Sequence, residues 1–233
     1  MAGIPNQLNA FSSSFSFFEN AAKNGNVATV FDSLLARVDK AAERLSDRAV
    51  EAGFTDIDDT PIVATFGGEA SAYGDNSLAK GLMLGQAVDV GLVSYAMGTC
   101  SFTAAATATG DDTALAITNS FATITGADIV ITFGRHGSTP LTSGADLAYS
   151  TSTTSFLAVD LEFWDSARGP IEIEYDWETC RLRMPSELDG EIAVLDALLE
   201  AFGEDSFAAL DAQVLSIEDT LSTVTAVGTL TTG

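Results

Sequence analysis

Apolar side chains recur at helical spacing between residues 26 and 53. They form one stripe, which consists of Val27, Phe31, Leu34, Val38, Leu45 and Ala49. An adjacent stripe is basic and consists of Arg37, Lys40, Arg44 and Arg48. Asn26 and Gly53 are residue types that cap helices at the start and at the end. The sequence therefore predicts one long amphipathic helix over 26–53, whose basic stripe is either solvated beside the core or docked on an acidic partner.

From residue 54 onward the apolar positions alternate with a period of two, which is typical of half-buried strands. A glycine followed by two polar or acidic residues recurs three times, at Gly74-Asp75-Asn76, Gly110-Asp111-Asp112 and Gly203-Glu204-Asp205. We interpret each copy as a strand, a tight turn and a second strand. The pattern predicts a mainly β domain over 54–233, built as a two-sheet antiparallel β-sandwich. A β-solenoid is the alternative, although the copies have no fixed period.

Two alternating segments between Ala158 and Glu178 indicate a hairpin that turns at Gly169-Pro170. One face of this hairpin would be apolar and carry Val159, Leu161, Phe163, Ile173, Tyr175 and Trp177. The other face would carry six carboxylates, those of Asp160, Glu162, Glu172, Glu174, Asp176 and Glu178. Like charges opposite each other destabilise a sheet, so we expect a counter-charge. It would come from the basic helix stripe of the same or a neighbouring chain, from cations, or from salt.

Three further segments, an ambiguous one, a candidate edge and an N-terminal arm, complete the prediction of the fold. Residues 187–202 fit both a helix and a strand, and their match to the turn repeats favours a strand. Residues 207–233 alternate again and are candidates for an exposed sheet edge. The arm formed by residues 1–25 has a cluster of aromatic side chains, Phe11, Phe15, Phe17 and Phe18. Exposed phenylalanines are unfavourable, so we expect the arm to pack on its own domain or on a neighbouring subunit.

Composition changes the picture mainly through charge. The chain has 233 residues, 46% hydrophobic content and a formal net charge of -23, nearly all of it in residues 54–233. This content can form one sizeable core, and the mean hydropathy of +0.23 argues against a disordered chain. Binding to nucleic acid requires basic surface, so we expect no nucleic-acid partner. No run of residues approaches 18 apolar positions, so we expect no membrane insertion.

The residues at the two ends of the chain bear on where the protein is found. We expect an extracellular or cell-surface protein, and because residues 1–18 lack the basic and apolar regions of a secretory signal, its export would follow a leaderless route. The small, uncharged C-terminal residues resemble those of bacterial type I secretion substrates. The alternatives are the cytoplasm of a halophile and a virion.

Calcium is the cofactor that the oxygen-rich positions would suit. The candidate ligands are Asp75, Asn76, Asp111, Asp112, Glu204, Asp205, Glu172, Glu174 and Asp176. None has the spacing of an EF-hand, and solvated acidic turns are the simpler interpretation. The two cysteines, Cys100 and Cys180, would form either one disulfide across about 80 residues or two buried thiols.

Residues 129–139 run from an apolar strand into Arg135-His136-Gly137-Ser138-Thr139. This segment resembles the phosphate-binding signature of histidine phosphatases, in which the histidine takes the phosphoryl group and the arginine clamps it. That family needs a second histidine, whereas His136 is the only one in this sequence. The sequence instead predicts a hairpin turn with a surface histidine.

No set of residues identifies a reaction, so we expect a protein that is not an enzyme. Strand edges, the aromatic arm and the basic helix facing an acidic sheet predict a structural protein that assembles with itself into a filament, surface layer or matrix. A virion subunit of a tail tube or capsid shares these features. A small secreted protein that binds calcium or another ligand is the remaining alternative.

Overall fold

The computed structural model describes residues 27–55, 60–109, 112–139, 146–163, 170–178 and 188–232. Within these ranges one helix, α1 (Val27–Glu51), precedes ten strands. The strands are β1 (Val63–Tyr73), β2 (Asn76–Val90), β3 (Val93–Thr107), β4 (Leu115–Thr125), β5 (Ile129–Ser138), β6 (Leu147–Leu161), β7 (Ile171–Glu178), β8 (Glu191–Phe202), β9 (Phe207–Ile217) and β10 (Leu221–Thr231). The predicted helix and the mainly β domain are both confirmed.

The strands form two sheets that pack face to face as a sandwich. The four-stranded sheet has the order β4-β1-β10-β9, and the six-stranded sheet has the order β7-β5-β6-β3-β2-β8. Most neighbours are antiparallel, but the two edge strands of the larger sheet, β7 and β8, run parallel to β5 and β2. The prediction of a sandwich is thus confirmed over that of a solenoid. The segment that fitted both a helix and a strand forms a strand over residues 191–202.

The core between the sheets is built from alanines and a few large side chains. Phe66, Phe102 and Met83 are fully buried in it, and the ring of Phe66 meets that of Phe156 edge to face at 5.1 Å. A Cβ placed on Gly98 would lie 2.5 Å from Cε1 of Phe156. Small residues therefore leave the space that these aromatic rings occupy.

A second core lies on the outer face of the six-stranded sheet, beneath α1. The buried stripe of the helix, which consists of Phe31, Val38, Ala42, Leu45 and Ala49, packs near β2 and β3. The hydroxyl of Tyr95 donates a hydrogen bond to Asp39, and burial together with this bond raises the pKa of Tyr95 far above its usual range. Ser46 Oγ accepts a hydrogen bond of 3.2 Å from the backbone of Leu92. These contacts fix the helix on the sheet.

The three glycine turns share a role that the repeat did not reveal, because each joins strands of different sheets. The first turn links β1 to β2, the second links β3 to β4, and the third links β8 to β9. Gly203 of the third turn has a φ of 123°, and a Cβ there would lie 2.7 Å from Cβ of Asp89. Glycine allows the sharp corner that such a crossing needs. Residues 110 and 111 of the second turn lie outside the described residues.

The predicted hairpin of Ala158–Glu178 is wrong. Strand β5 lies between β6 and β7, pairing antiparallel with β6 and parallel with β7. The assignment of faces nevertheless holds, since Ile131 pairs with both Leu157 and Ile173 and so places the apolar rows on one side. Alternation determines which face a residue occupies, but it does not determine which strand is the neighbour.

The prediction of a C-terminal edge is correct for β9 and wrong for β10. Strand β9 is an edge of the four-stranded sheet, whereas β10 lies between β1 and β9. Val224, Ala226 and Leu230 of β10 are fully buried. The alternating apolar residues of β10 therefore serve the core.

Candidate functional site

The acidic turns, which are the calcium candidates, hold hydrogen bonds of the fold. A carboxylate oxygen of Asp75 accepts from the backbone N–H of Thr109 at 2.8 Å. The amide of Asn76 donates to Thr107 and accepts from the backbone of Gly190. Asp112, Glu204 and Asp205 are exposed, and Asp111 lies outside the described residues. Among the described residues no group of three or more acidic, histidine or cysteine side chains is placed to hold a metal ion.

The corner at Gly203 brings the carboxylates of Asp89 and Glu204 close enough to interact. Burial raises the pKa of Asp89, and the carboxylate of Glu204 adds to that effect. Hydrogen bonds from Ser94 and from the backbone of Gly91 act in the opposite direction. The net result is that the Asp89 carboxyl gains a proton more readily than an ordinary aspartate does.

The carboxylates of β7 stand at the opposite edge of the larger sheet. Glu172, Glu174 and Asp176 are exposed, and Asp176 Oδ1 lies 3.5 Å from Nδ1 of His136. Asp160, which was expected on the same acidic face, is buried on β6 and is separated from β7 by β5. The histidine lies within β5 rather than in a turn, so that part of the prediction is wrong.

The basic stripe belongs to a helix that lies on one face of the larger sheet, whereas Glu172 and Glu174 of β7 lie on the other face. The helix rests on the apolar outer face of the sheet through its buried stripe, and the basic side chains point outward; they are those of Arg37, Lys40, Arg44 and Arg48. Docking of the basic stripe on an acidic face, of the same or of a neighbouring chain, stays a prediction.

Cys100 is a free thiol at the centre of the inner core. Burial raises the pKa of Cys100 to about 12, so the thiol stays protonated and unreactive at neutral pH. Its Sγ donates to the backbone oxygen of Gly67 at 3.3 Å. The buried-thiol alternative therefore applies to Cys100, while Cys180 lies outside the described residues. The aromatic residues of the arm, Phe11, Phe15, Phe17 and Phe18, also lie outside them.

The most unusual surface of the molecule lies on the two consecutive edge strands β8 and β9, which we call the β8–β9 edge. Nine of the eighteen large apolar side chains that are exposed in the described part lie on it. They are Ile192, Val194, Leu198, Phe202, Phe207, Leu210, Val214, Leu215 and Ile217, each 44–56% exposed. Residues 191–217 contain no lysine, arginine or proline, the residues that commonly protect an edge from pairing.

A lateral seam opens between these two strands, where the sheets come together at the side of the sandwich. Its four apolar side chains are Leu195, Leu199, Leu210 and Val214. Val224 of β10 pairs with Val214 of β9. The side chains of Val224 and Leu195 both lie next to Gly81, so Leu195 and Val214 stand at the same level of the sandwich. Leu199 and Leu210 are aligned in the same way through Gly228.

The exposure of the lateral seam shows that it is not closed by the sandwich itself. Leu210 and Val214 face the interior side of β9, yet they are 45% and 49% exposed. Below them, Ser216 Oγ donates to the backbone oxygen of Glu191 at 3.0 Å, which closes one end. The strands connect through the Gly203 corner at the other end. Between the two ends Leu210 and Val214 stay about half exposed, whereas Leu195 and Leu199 pack against the inner core.

Sequence reasoning found β9 as an edge but missed β8 and the lateral seam. The signal was present in residues 191–202, which are apolar on both faces except for a few acids. Such a strand must be covered on both sides or be left exposed at an edge.

Comparison with protein-family models, with curated proteins and with solved structures finds no match for this chain. No helix in the described ranges is long and apolar enough to cross a lipid bilayer. The surface chemistry of the β8–β9 edge is therefore the main guide to function.

Proposed function

We propose that this protein is a non-enzymatic structural protein that assembles with itself through the β8–β9 edge. The observation that carries the proposal is that half of the large apolar side chains exposed in the described part of the chain lie on this edge. Water contact with apolar surface is unfavourable by roughly 25 cal/mol per Å², so a second molecule that covers this edge gains free energy. The outward backbone groups of two edge strands supply hydrogen bonds in addition.

The charge of the edge adds a condition to this assembly. Residues 191–217 carry six acids and no basic residue; the acids are Glu191, Asp196, Glu200, Glu204, Asp205 and Asp211. Bringing two such surfaces together is opposed by repulsion, which salt screens over a Debye length of about 10 Å at 0.1 M. We expect assembly into a filament, surface layer or matrix to strengthen as ionic strength rises.

A charge placed in the lateral seam tests this proposal. Val214→Glu adds a carboxylate to a half-exposed position, so the fold tolerates it but the contact loses an apolar surface. Val50→Glu adds the same charge on the exposed side of α1, where Val50 is 62% exposed, and serves as the matched control. Light scattering at micromolar protein should give large particles for the unaltered and control chains, and single chains for Val214→Glu.

Two results would contradict the proposal. One is an unaltered chain that stays a single molecule at every protein and salt concentration tested. The other is a Val214→Glu variant that assembles as readily as Val50→Glu does. Melting curves of both variants establish that a difference in assembly does not come from unfolding.

A further inference from the structure

The partner that fits the lateral seam can be inferred from the part of the chain that precedes α1. We propose that residues 11–17 of one chain insert as a strand beside β8 of a second chain, with their phenylalanines filling that chain's lateral seam. This inference rests on the proposed self-assembly and names the segment that makes the contact.

The sequence of the segment has the pattern that the site requires. Residues 11–17 read Phe-Ser-Ser-Ser-Phe-Ser-Phe. In a strand, Phe11, Phe15 and Phe17 lie on one face together with the small Ser13, while the serines at 12, 14 and 16 lie on the other. The aromatic face suits the apolar seam, and the serine face suits the solvent side of the sheet.

Spacing agrees as well. Phe11 and Phe15 are four residues apart, which corresponds to about 13 Å along a strand. The seam has the same four-residue separation on both walls, from Leu195 to Leu199 on β8 and from Leu210 to Val214 on β9. A seven-residue strand of about 23 Å also fits within the length of β8, which has 12 residues.

Charge favours this segment over a second copy of the β8–β9 edge. Two edges would bring together twice the six acids of residues 191–217. Residues 11–17 carry no charge, so their insertion covers the exposed side chains of the lateral seam without adding repulsion. The exposed edge of β8 would then gain the backbone partner that it lacks among the described strands.

The connection to the helix is long enough for an exchange between molecules. Nine residues, 18–26, separate the segment from the start of α1, and an extended chain of that length spans about 30 Å. Because the segment of one chain enters the seam of another, the contact is heterologous. Such a contact repeats from molecule to molecule and gives a filament or a ring.

The direct test uses two variants that each lack one half of the contact. Phe11→Ser, Phe15→Ser and Phe17→Ser combined leave the seam intact but remove the inserting side chains. Val214→Glu leaves the segment intact but blocks the seam. Each variant alone should sediment as single chains, with association weakened by about tenfold or more. An equimolar mixture should form a one-to-one complex.

Phe18→Ser is the matched control, because Phe18 falls on the serine face of the strand, and it should assemble like the unaltered chain. The inference is overturned if the mixture stays as single chains, if the triple variant assembles like the unaltered chain, or if Phe18→Ser abolishes assembly. If the triple variant assembles while Val214→Glu does not, the segment is not the partner but assembly at the edge stands. If Val214→Glu also assembles, the proposed function fails with it.

Discussion

Replacing Phe66 with alanine is expected to lower the free energy of unfolding by about 3–5 kcal/mol. Phe66 is fully buried between the two sheets, and its ring contacts that of Phe156 edge to face. The surrounding core is built largely from alanines and glycines, which have no long side chains to move into the space. The substitution therefore loses both the burial of the ring and the contacts of its neighbours.

Denaturant unfolding followed by circular dichroism measures this loss. Phe121→Ala is the matched control, because the ring of Phe121 is 38% exposed on the outer face of β4. We expect the control to cost less than about 1 kcal/mol. Equal losses in the two variants would mean that Phe66 does not lie at the centre of the packing between the sheets.

Replacing Gly98 with valine is expected to lower the free energy of unfolding by about 1–3 kcal/mol or more. A Cβ at this position would lie 2.5 Å from Cε1 of Phe156 and 3.0 Å from Cζ of Phe66. Both rings are held in the core, so they move only with their neighbours. The strain comes from excess volume, which is the opposite defect to that of Phe66→Ala.

A second substitution distinguishes this strain from a simple loss of strand geometry. Phe156→Leu removes the ring atoms nearest to Gly98, so the double variant Gly98→Val with Phe156→Leu should be more stable than the sum of the single losses predicts. The four unfolding free energies form a double-mutant cycle. Strictly additive losses would show that Gly98 and Phe156 are not in the predicted conflict.

The sequence predicted the positions of the helix and the strands better than it predicted which strands lie side by side in a sheet. The helical stripe of residues 26–53 and the alternation of β8 follow from local spacing, which depends on the backbone alone. The hairpin at Ala158–Glu178 failed because β5 occupies the place beside β6. Strand β5, which precedes β6 in the chain, pairs with β6 and so separates it from β7. The alternation within β7 does not indicate this order of strands.

The candidate site was predicted in outline only. Alternation identified residues 207–217 as a sheet edge, and composition identified the aromatic arm. The lateral seam depends on Leu195 and Leu199 facing Val214 and Leu210 across two different sheets. Because that alignment is set by the corner at Gly203, it becomes visible only once the three-dimensional arrangement is known.

Hydrogen exchange tests self-assembly at the β8–β9 edge most directly. The assembled chain is compared with the Val214→Glu single chain, and protection is read for β8, β9 and, as an internal reference, the β4 edge at Leu115–Thr125. Backbone N–H groups that gain partners exchange more slowly. Self-assembly at this edge predicts slower exchange in β8 and β9 with little change in β4. Slower exchange confined to β4 or β7 would contradict it.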